Sequence, residues 1–379
     1  MSGTEGTHPA TTKSRHAFHV LLDLLGELDA RFLGPEWKTE RPQDIADGHR
    51  YILHLLYQAL DFLFEGDPER PVFRRNQSPN MKVLGDCSDA IFHRVCVRPD
   101  RTYRIRGNMA GAVFVSISQY TGSTTGVMRV TSSIDDTALG IGPNGSFDIV
   151  LGPTERPGRW FKLDPDADSL SIRHYFEEAN CVAADPTKVI PLTIEPLDPP
   201  GPRPAPDDAS IAAGIQRVAS YVRGITLAQP PFMQAGKVPS WVSTTPNQFN
   251  PPEPPRPDIG WANLAAVYAQ APYALGPDEA LVMEGRFPKC RCANVNLWNR
   301  YMQTYDYVTR TVSLNRKQTT LEADGHFRMA LAHRNPGVPN WLDTGGRHDG
   351  IIFWRFLLVE EPVAPLRTQV VPISELRKR

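Results

Sequence analysis

The sequence predicts a mainly β (α+β) protein, an antiparallel β-sandwich with an N-terminal helical hairpin and one further helix. Three observations predict it. Apolar residues recur at spacings of three and four near the N-terminus and again near the middle of the chain, and elsewhere they alternate or run in short blocks. Thirty-six prolines, about twice the usual share, interrupt helices and central strands and favour many short strands joined by rigid loops. Strand and helix patterns do not alternate as they would in a parallel α/β fold.

The elements follow in order. Over residues 14–32, Phe18, Leu21, Leu22, Leu25, Leu28 and Phe32 form one apolar face, and Gly34-Pro35 ends the helix. A second helix over 42–64 starts at Pro42, a residue suited to a first turn, and stops at Gly66-Asp67-Pro68. From about Val72 the period changes to two. Phe92–Val97 and Tyr103–Ile105 flank the turn Arg98-Pro99-Asp100-Arg101; Val113, Val115 and Ile117 alternate; Asn144-Gly145 precedes Phe147–Val150; and Leu170–Phe176 is a further strand. A stiff proline-rich stretch runs from Leu197 to Asp208. A helix follows over 209–227, with Ile211, Ile215, Val218, Val222 and Ile225 on one face. The last third reads as strands at Ala280–Gly285, Tyr307–Leu314, a hairpin around Asp324-Gly325, and Ile351–Leu358, which is apolar enough for a central strand. No internal repeat is visible. The chain divides into a helical segment over 1–70, a first β region over 71–196, proline-rich linkers with a helix over 197–258, and a C-terminal β region over 259–379.

Charge and composition exclude several functions. A net charge of −1 over 379 residues offers no basic field for nucleic acid and no polybasic cluster for an anionic membrane. The first 15 residues lack the apolar core of a signal peptide, and no apolar run approaches the roughly 20 residues that span a bilayer. Five cysteines at irregular spacing (Cys87, Cys96, Cys181, Cys290, Cys292) fit a reducing compartment, so the expected location is the cytoplasm. There is no P-loop, G-x-G-x-x-G, G-x-S-x-G, H-E-x-x-H or EF-hand pattern, and no cofactor is expected.

The C-terminal residues carry a likeness. Asp278–Val282, Pro288-x-Cys290, Asn296-Leu297-Trp298-Asn299, Asp324-Gly325 and above all Asn335-Pro336-Gly337-x-Pro339-Asn340-Trp341-Leu342, with Gly350 and Arg355, resemble the bacterial family of domain of unknown function 1214. Trp160, Leu170–Phe176 with Arg173, and Gly85-Asp86-x-x-Asp89 before Tyr103–Gly107 are similar to earlier elements of the same proteins. Companion domain 1254 is not clearly present, and the N-terminal helices stand in its place. The resemblance implies a jelly-roll-like β-sandwich and no established reaction.

The chemistry-bearing residues fall into three groups. His333 leads into the Pro-Gly-x-Pro-Asn-Trp loop, followed by Asp343 and His348, and a His beside a carboxylate is an acid/base pair. Trp298 and Tyr301, with Trp341, suit a ligand with apolar faces, and Arg310, Arg355 and Arg173 present forks that match a carboxylate or phosphate. Asp86 and Asp89 could hold a hard cation. Each group also has an ordinary structural reading: a proline-shaped turn with a plugging Trp, a sandwich core with arginines at its surface, and capping aspartates. The expected function is therefore a small-molecule pocket for a carbohydrate-like or carboxylated metabolite, with His333 and Asp343 moving any proton. Whether that pocket is catalytic is open. A non-enzymatic carbohydrate-binding or assembly module is the alternative, and a metal-assisted hydrolase or lyase the third. Expected partners are a small-molecule ligand and no nucleic acid or membrane; exposed sheet edges leave a homo-oligomer open.

Overall fold

In the computed structural model, which describes residues 11–229, 238–256 and 262–378, the alternation of side chains along each strand sorts the chain into four sheets. Chain order is α1 (Lys13–Glu27), α2 (Pro42–Ala59), β1 (Arg74–Arg75), β2 (Ala90–Cys96), β3 (Tyr103–Asn108), β4 (Phe114–Thr121), β5 (Arg129–Asp135), α3 (Asp136–Leu139), β6 (Ser146–Gly152), β7 (Trp160–Lys162), β8 (Ser169–Tyr175), β9 (Leu192–Pro196) and α4 (Asp208–Ile225). It continues with β10 (Ala266–Ala274), β11 (Glu279–Gly285), β12 (Cys292–Trp298), β13 (Ser313–Asn315), β14 (Phe327–Ala332), β15 (Trp341–Asp343), β16 (Asp349–Leu357) and β17 (Arg367–Pro372). The protein is mainly β, with the helical hairpin and the further helix that the periodicity predicts.

The helices end where their sequence signals stand. Both α1 and α2 pass into a π-helical turn, Leu28–Phe32 and Leu60–Phe64, so the helical runs close at Phe32 and Phe64. Asp207 and Ser210 form a reciprocal cap on α4. Asp208, in the next position, accepts the amides of Lys13 and Ser14 at 2.9 and 3.0 Å, which ties the start of α1 to the start of α4. Asp44 on α2 accepts from Arg41 and Arg300, and Asp47 pairs with Arg347, so α2 is also anchored to loops of the C-terminal β region.

Strands β1-β2-β8-β4-β5 form one sheet and β7-β6-β3-β9 a second; β10-β16-β12-β13 and β15-β14-β11-β17 form the third and fourth. Ile91, Val115, Ile117 and Ile172 of the first sheet pack on Ile105, Phe147 and Ile149 of the second. Val295, Ile352 and Trp354 of the third pack on Met283, Phe327 and Leu331 of the fourth. Trp354 lies stacked between Phe327 and Phe356, at 5.1 and 5.7 Å, pairs worth about 1 kcal/mol each beyond the area they bury. A further cluster, with Phe92, Phe114 and Tyr175 from the first sheet and Tyr268, Phe353 and Leu357 from the third, joins the two sandwiches back to back. The first and third sheets are thus covered on both faces, and every residue of β8 and β12 is buried.

The two sandwiches have one topology, a repeat that the sequence reading did not find. Strands β2 to β9 and β10 to β17 visit their sheets in the same order, and β6–β7 and β14–β15 are the parallel pairs at equivalent places. Register extends the match to single residues. Gly107 faces Phe147 as Gly285 faces Phe327; Val150 pairs with Trp160 as Ala330 pairs with Trp341; and Arg173 pairs with Ser116 as Arg355 pairs with Asn294. The matching residues are few and lie at turns and register points, which is too sparse a pattern to show as self-similarity.

Three local expectations differ from the structure. Tyr307–Leu314 is a strand only from Ser313, because Asp306 caps the amide of Val308 and closes a turn with Arg310. The Asp324-Gly325 turn forms, but Thr319–Glu322 makes only the Leu321–Phe327 bridge, since the Asn340 side chain takes both backbone groups of Thr320. Strand β10 was missed because it contains Pro272; it lies at the edge of its sheet, where a missing amide breaks no ladder. Among the described residues, no helix is long and apolar enough to cross a membrane.

Candidate functional site

The expected site residues fall in different layers. His333 directly follows β14 of the fourth sheet, where its ring nitrogens meet Thr344 Oγ1 at 2.7 Å and the Leu275 carbonyl at 3.4 Å. Asp343 in β15 does not reach it. Its carboxylate accepts from Arg310 Nη1 at 2.7 Å and from the Gly345 amide at 2.7 Å, so Arg310 is part of that pair and not of a pocket. Trp341 donates to the Ala332 carbonyl at 3.1 Å and packs beside Val338. The intervening loop is built for its turn. Gly337 and Asn340 both adopt left-handed backbone, and Asn340 binds Thr320 and Arg328. The most family-like motif in the sequence therefore shapes the parallel β14–β15 connection.

Tyr301 stacks on Tyr51 at 5.4 Å and donates to the Asp44 carbonyl, which places it in the helical core. Asp86 and Asp89 serve separate networks. Asp86 accepts the Thr304 amide at 2.7 Å beside Lys82, whose ammonium donates to the Thr304 and Tyr305 carbonyls and lies 3.9 Å from the centre of the Tyr307 ring. Burial lowers the Lys82 pKa to about 8 and raises that of Asp86. Among the described residues, no three His, Cys, Asp or Glu side chains gather as metal ligands.

Three of the expected residues do share one layer, the one between the two sandwiches. Trp298, Arg355 and Arg173 sit there because alternation on β12, β16 and β8 turns them away from their own sandwich cores. Trp298 stacks on Phe353 at 4.2 Å and donates to the Asp86 carbonyl. Arg173 donates to Ser118 Oγ at 3.0 Å and to the Tyr120 hydroxyl. The acids that follow it in sequence, Glu177 and Glu178, are engaged elsewhere: Glu177 with Arg316 at 2.6 Å and Glu178 with Lys188 at 3.3 Å.

Arg355 is the unusual group. It is 5% exposed and ringed by Phe353, Tyr175 and Tyr268 at 5.0, 5.7 and 5.9 Å. Its Nη1 donates to Asn294 Oδ1 at 3.3 Å, and its Nε is buried without an acceptor. Among the described residues, no carboxylate lies within ion-pair distance of it. Asp89 is one residue removed: Asn294 Nδ2 donates to Asp89 at 2.9 Å, and Asn315 and Ser88 also hold that carboxylate. Burial opposes the charge on Arg355, and the thiols and phenols around it act in the other direction. Burial pushes Cys87 up to about 11 and raises Tyr175 and Cys292 as well, so at neutral pH these neighbours carry no charge to balance it. Ser116 Oγ, on the Arg173 row of the first sheet, is a second buried polar atom without a partner.

Sequence reasoning missed Tyr175, Tyr268, Phe353, Asn294 and Ser116. The available signal was Asn294-x-Asn296-x-Trp298 in β12 and Ser116-x-Ser118-x-Tyr120 in β4, an alternation that ordinarily marks a solvent face.

The chain is similar along nearly its whole length to a crystal structure of an uncharacterized protein from Burkholderia cenocepacia. The TM-score is 0.81 with 29% identity, covering 95% of this chain and 98% of that one. A crystal structure of a Vibrio parahaemolyticus protein matches with a TM-score of 0.49 and 11% identity, over 86% of this chain and 97% of that one. No family model and no curated protein matches the chain.

Proposed function

We propose that this protein binds a small carboxylated metabolite in the layer between its two sandwiches, with Arg355 as the anchor of the carboxylate. The observation that carries the reading is a guanidinium 5% exposed, held in an aromatic ring of Phe353, Tyr175 and Tyr268, whose only hydrogen bond among the described residues is to a neutral amide. A buried charge costs several kcal/mol unless it is paired, so a cation kept in this way is suited to an anion that arrives from outside. The planar fork matches a carboxylate with two parallel bonds, and the rings exclude water and present apolar faces to the ligand's carbon skeleton. Of the two ligand classes expected from sequence, the carboxylated one is the one that a buried guanidinium fork matches.

The reading is of binding rather than turnover. His333 and Asp343 belong to the fourth sheet, and the third sheet stands between them and Arg355. The likeness to the domain of unknown function 1214 family belongs to the proposal too, with the second sandwich as its 1214-like unit. So does a cytoplasmic location, in which the five thiols stay reduced.

The test is thermal unfolding of the purified protein with sodium acetate, propionate, pyruvate and benzoate, each against sodium chloride at equal ionic strength. An acid that binds the folded state raises the midpoint in proportion to the logarithm of its concentration. The reading requires that rise in the wild type and its loss in Arg355→Met. A wild-type midpoint that follows chloride alone with every carboxylate removes it.

A further inference from the structure

The outer face of α2 is apolar and uncovered. From Tyr51 to Phe64, α2 and its π-helical turn carry apolar residues on every side, the pattern of a helix that is buried all round. One side is buried: Tyr51, Ile52, Leu55, Phe62 and Leu63 lie in the helical core. On the opposite side Leu53, Tyr57 and Leu60 are 63%, 54% and 40% exposed. Together with Ala46 and Arg50, also exposed, they follow spacings of four, three, four and three, the seam of a helix that packs on another helix. Scattered exposed apolar residues are ordinary, whereas a continuous row of them marks a contact surface. The first helix widens the surface. Phe18 and Leu22 are half exposed and share a face with Asp29, which meets His49 of α2 at 2.9 Å and holds the two helices together on that side.

The charges along the seam say what covers it. At one end Arg50 is exposed, and among the described residues no acid lies within ion-pair distance of it. At the other end Glu65 is exposed and equally without a cation, and Asp61, paired with Arg74, lies a turn before it. The last carbonyls of the helix add negative charge at that end. Two such faces laid in the same direction would set Arg50 on Arg50 and Glu65 on Glu65. Laid in opposite directions about a two-fold axis, each Arg50 comes against the Asp61–Glu65 end of the other copy, and Leu53 comes against Tyr57 and Leu60. The face is complementary to itself in one orientation. A lipid surface matches it poorly: residues 11–65 carry nine Asp and Glu against six Lys and Arg, the reverse of what anionic headgroups attract.

We infer that the protein forms a two-fold homodimer in which α2 packs antiparallel on α2 of a second copy through Leu53, Tyr57 and Leu60, flanked by Phe18 and Leu22 of α1. Apolar residues at the centre exclude water, and the Arg50 and Glu65 pairs at the rim set the direction of the helices. The helical segment is thus an assembly face. It stands on different elements from the layer that holds Arg355 and does not depend on what binds there.

The experiment is sedimentation equilibrium of the full chain, with circular dichroism of each variant as the check on folding. The wild type is expected at twice the chain mass. Leu53→Glu, at an exposed position, is expected to keep the wild-type circular dichroism and to raise the dimer dissociation constant at least about hundredfold, because two-fold symmetry puts two charges into one apolar contact. Arg50→Glu and Glu65→Arg are each expected to weaken the dimer about tenfold, every reversal being counted twice, and the double variant Arg50→Glu/Glu65→Arg to restore it. A wild type that stays monomeric up to about 100 μM overturns the inference, since a dimer with a dissociation constant below that would be seen. So does a dimer indifferent to Leu53→Glu. A monomer that instead binds vesicles of phosphatidylcholine and phosphatidylserine gives the face to a lipid surface and overturns it too. A dimer that Leu53→Glu breaks but the double reversal does not restore overturns the antiparallel arrangement.

Discussion

Arg355→Met separates a ligand anchor from a structural arginine by the sign of its effect on stability. Holding a guanidinium in a dry interior has an effective cost of several kcal/mol. In this site the three ring contacts, at 5.0 to 5.9 Å, return about 2 kcal/mol together, since desolvated cation–π contacts reach that size. The bond to Asn294, long at 3.3 Å, returns about 1 kcal/mol. Methionine has a similar length, fills irregular space and carries no charge. The expected change is therefore between zero and a gain of about 2 kcal/mol, as seen where buried ions give way to apolar residues of like volume. For a chain of this size, that appears as a midpoint unchanged or raised by roughly 2 to 4 °C. The assay is urea unfolding at pH 7.5 followed by tryptophan fluorescence, with calorimetry for the midpoint, in the absence of any carboxylate. A loss of more than about 3 kcal/mol, the size expected when a compensated buried pair is broken, would show that Arg355 is already satisfied within the fold and refute the argument.

Other expectations follow from neighbouring observations. His174 is fully buried with its Nε2–H on the Asn108 carbonyl, and burial lowers its pKa to about 3 and that of His93 to about 4. Both are neutral in the folded state, so as pH falls below about 6.5 the unfolded chain takes up protons that the folded chain refuses, and stability drops with a limiting slope of about 1.4 kcal/mol per pH unit for each. Buried Asp86 and Asp89, whose pKa values are raised, work in the other direction, gaining stability as pH falls. The contribution of His174 is therefore read as a difference: His174→Gln, which keeps a donor, should unfold in urea with a pH 7.5-to-5 loss smaller by about 2 kcal/mol, and equal losses in the two proteins would contradict the assignment. Gly107→Ala and Gly285→Ala should each cost about 1 to 3 kcal/mol, because a methyl meets the ring of Phe147 in the first sandwich and comes within 2.8 Å of Phe327 in the second. A loss at only one of the two would break the equivalence of the sandwiches. Asp44→Ala removes the acceptor that Arg41 and Arg300 share and should cost about 3 kcal/mol, measurable as earlier proteolysis of the helical segment.

The helices were legible because their signals are local. Phe32 and Phe64 close the helical runs at the residues that the apolar face and the Gly-Pro and Gly-Asp-Pro stops indicate, and α4 begins one residue from its predicted start. Strands were legible where both neighbours are ordinary, as in β8, β11 and β16. They were lost where a tertiary fact overrides the pattern. Pro272 looks like a breaker until β10 is known to be an edge, and Tyr307–Val312 looks like a strand until Asp306 is seen to cap it. Of the residues put forward for function, Arg173 and Arg355 were readable as forks that match a carboxylate or phosphate. His333, Asp343 and Arg310 looked equally promising, and nothing in a sequence tells that Arg310 and Asp343 take each other.

The layer between the sandwiches was illegible for a more general reason. A strand with apolar residues on one face and Ser, Asn, Arg or Tyr on the other is the ordinary signature of a sheet with one side in water. Strands β4, β8 and β12 carry that signature, yet all of their polar positions facing the layer, from Ser116 and Ser118 to Asn294 and Asn296, are buried. What hides them is a second sandwich of the same topology, set back to back with the first. A purely structural contact between two such sheets would be served by apolar residues, which need no partners and cost nothing to bury. The contact has them, in Phe92, Phe114, Trp298 and Leu357, and beside them it buries two arginines, a serine hydroxyl and two asparagines. Arg355 Nε and Ser116 Oγ stay buried in that contact without a partner, and the proposed carboxylate site rests on this retained polarity.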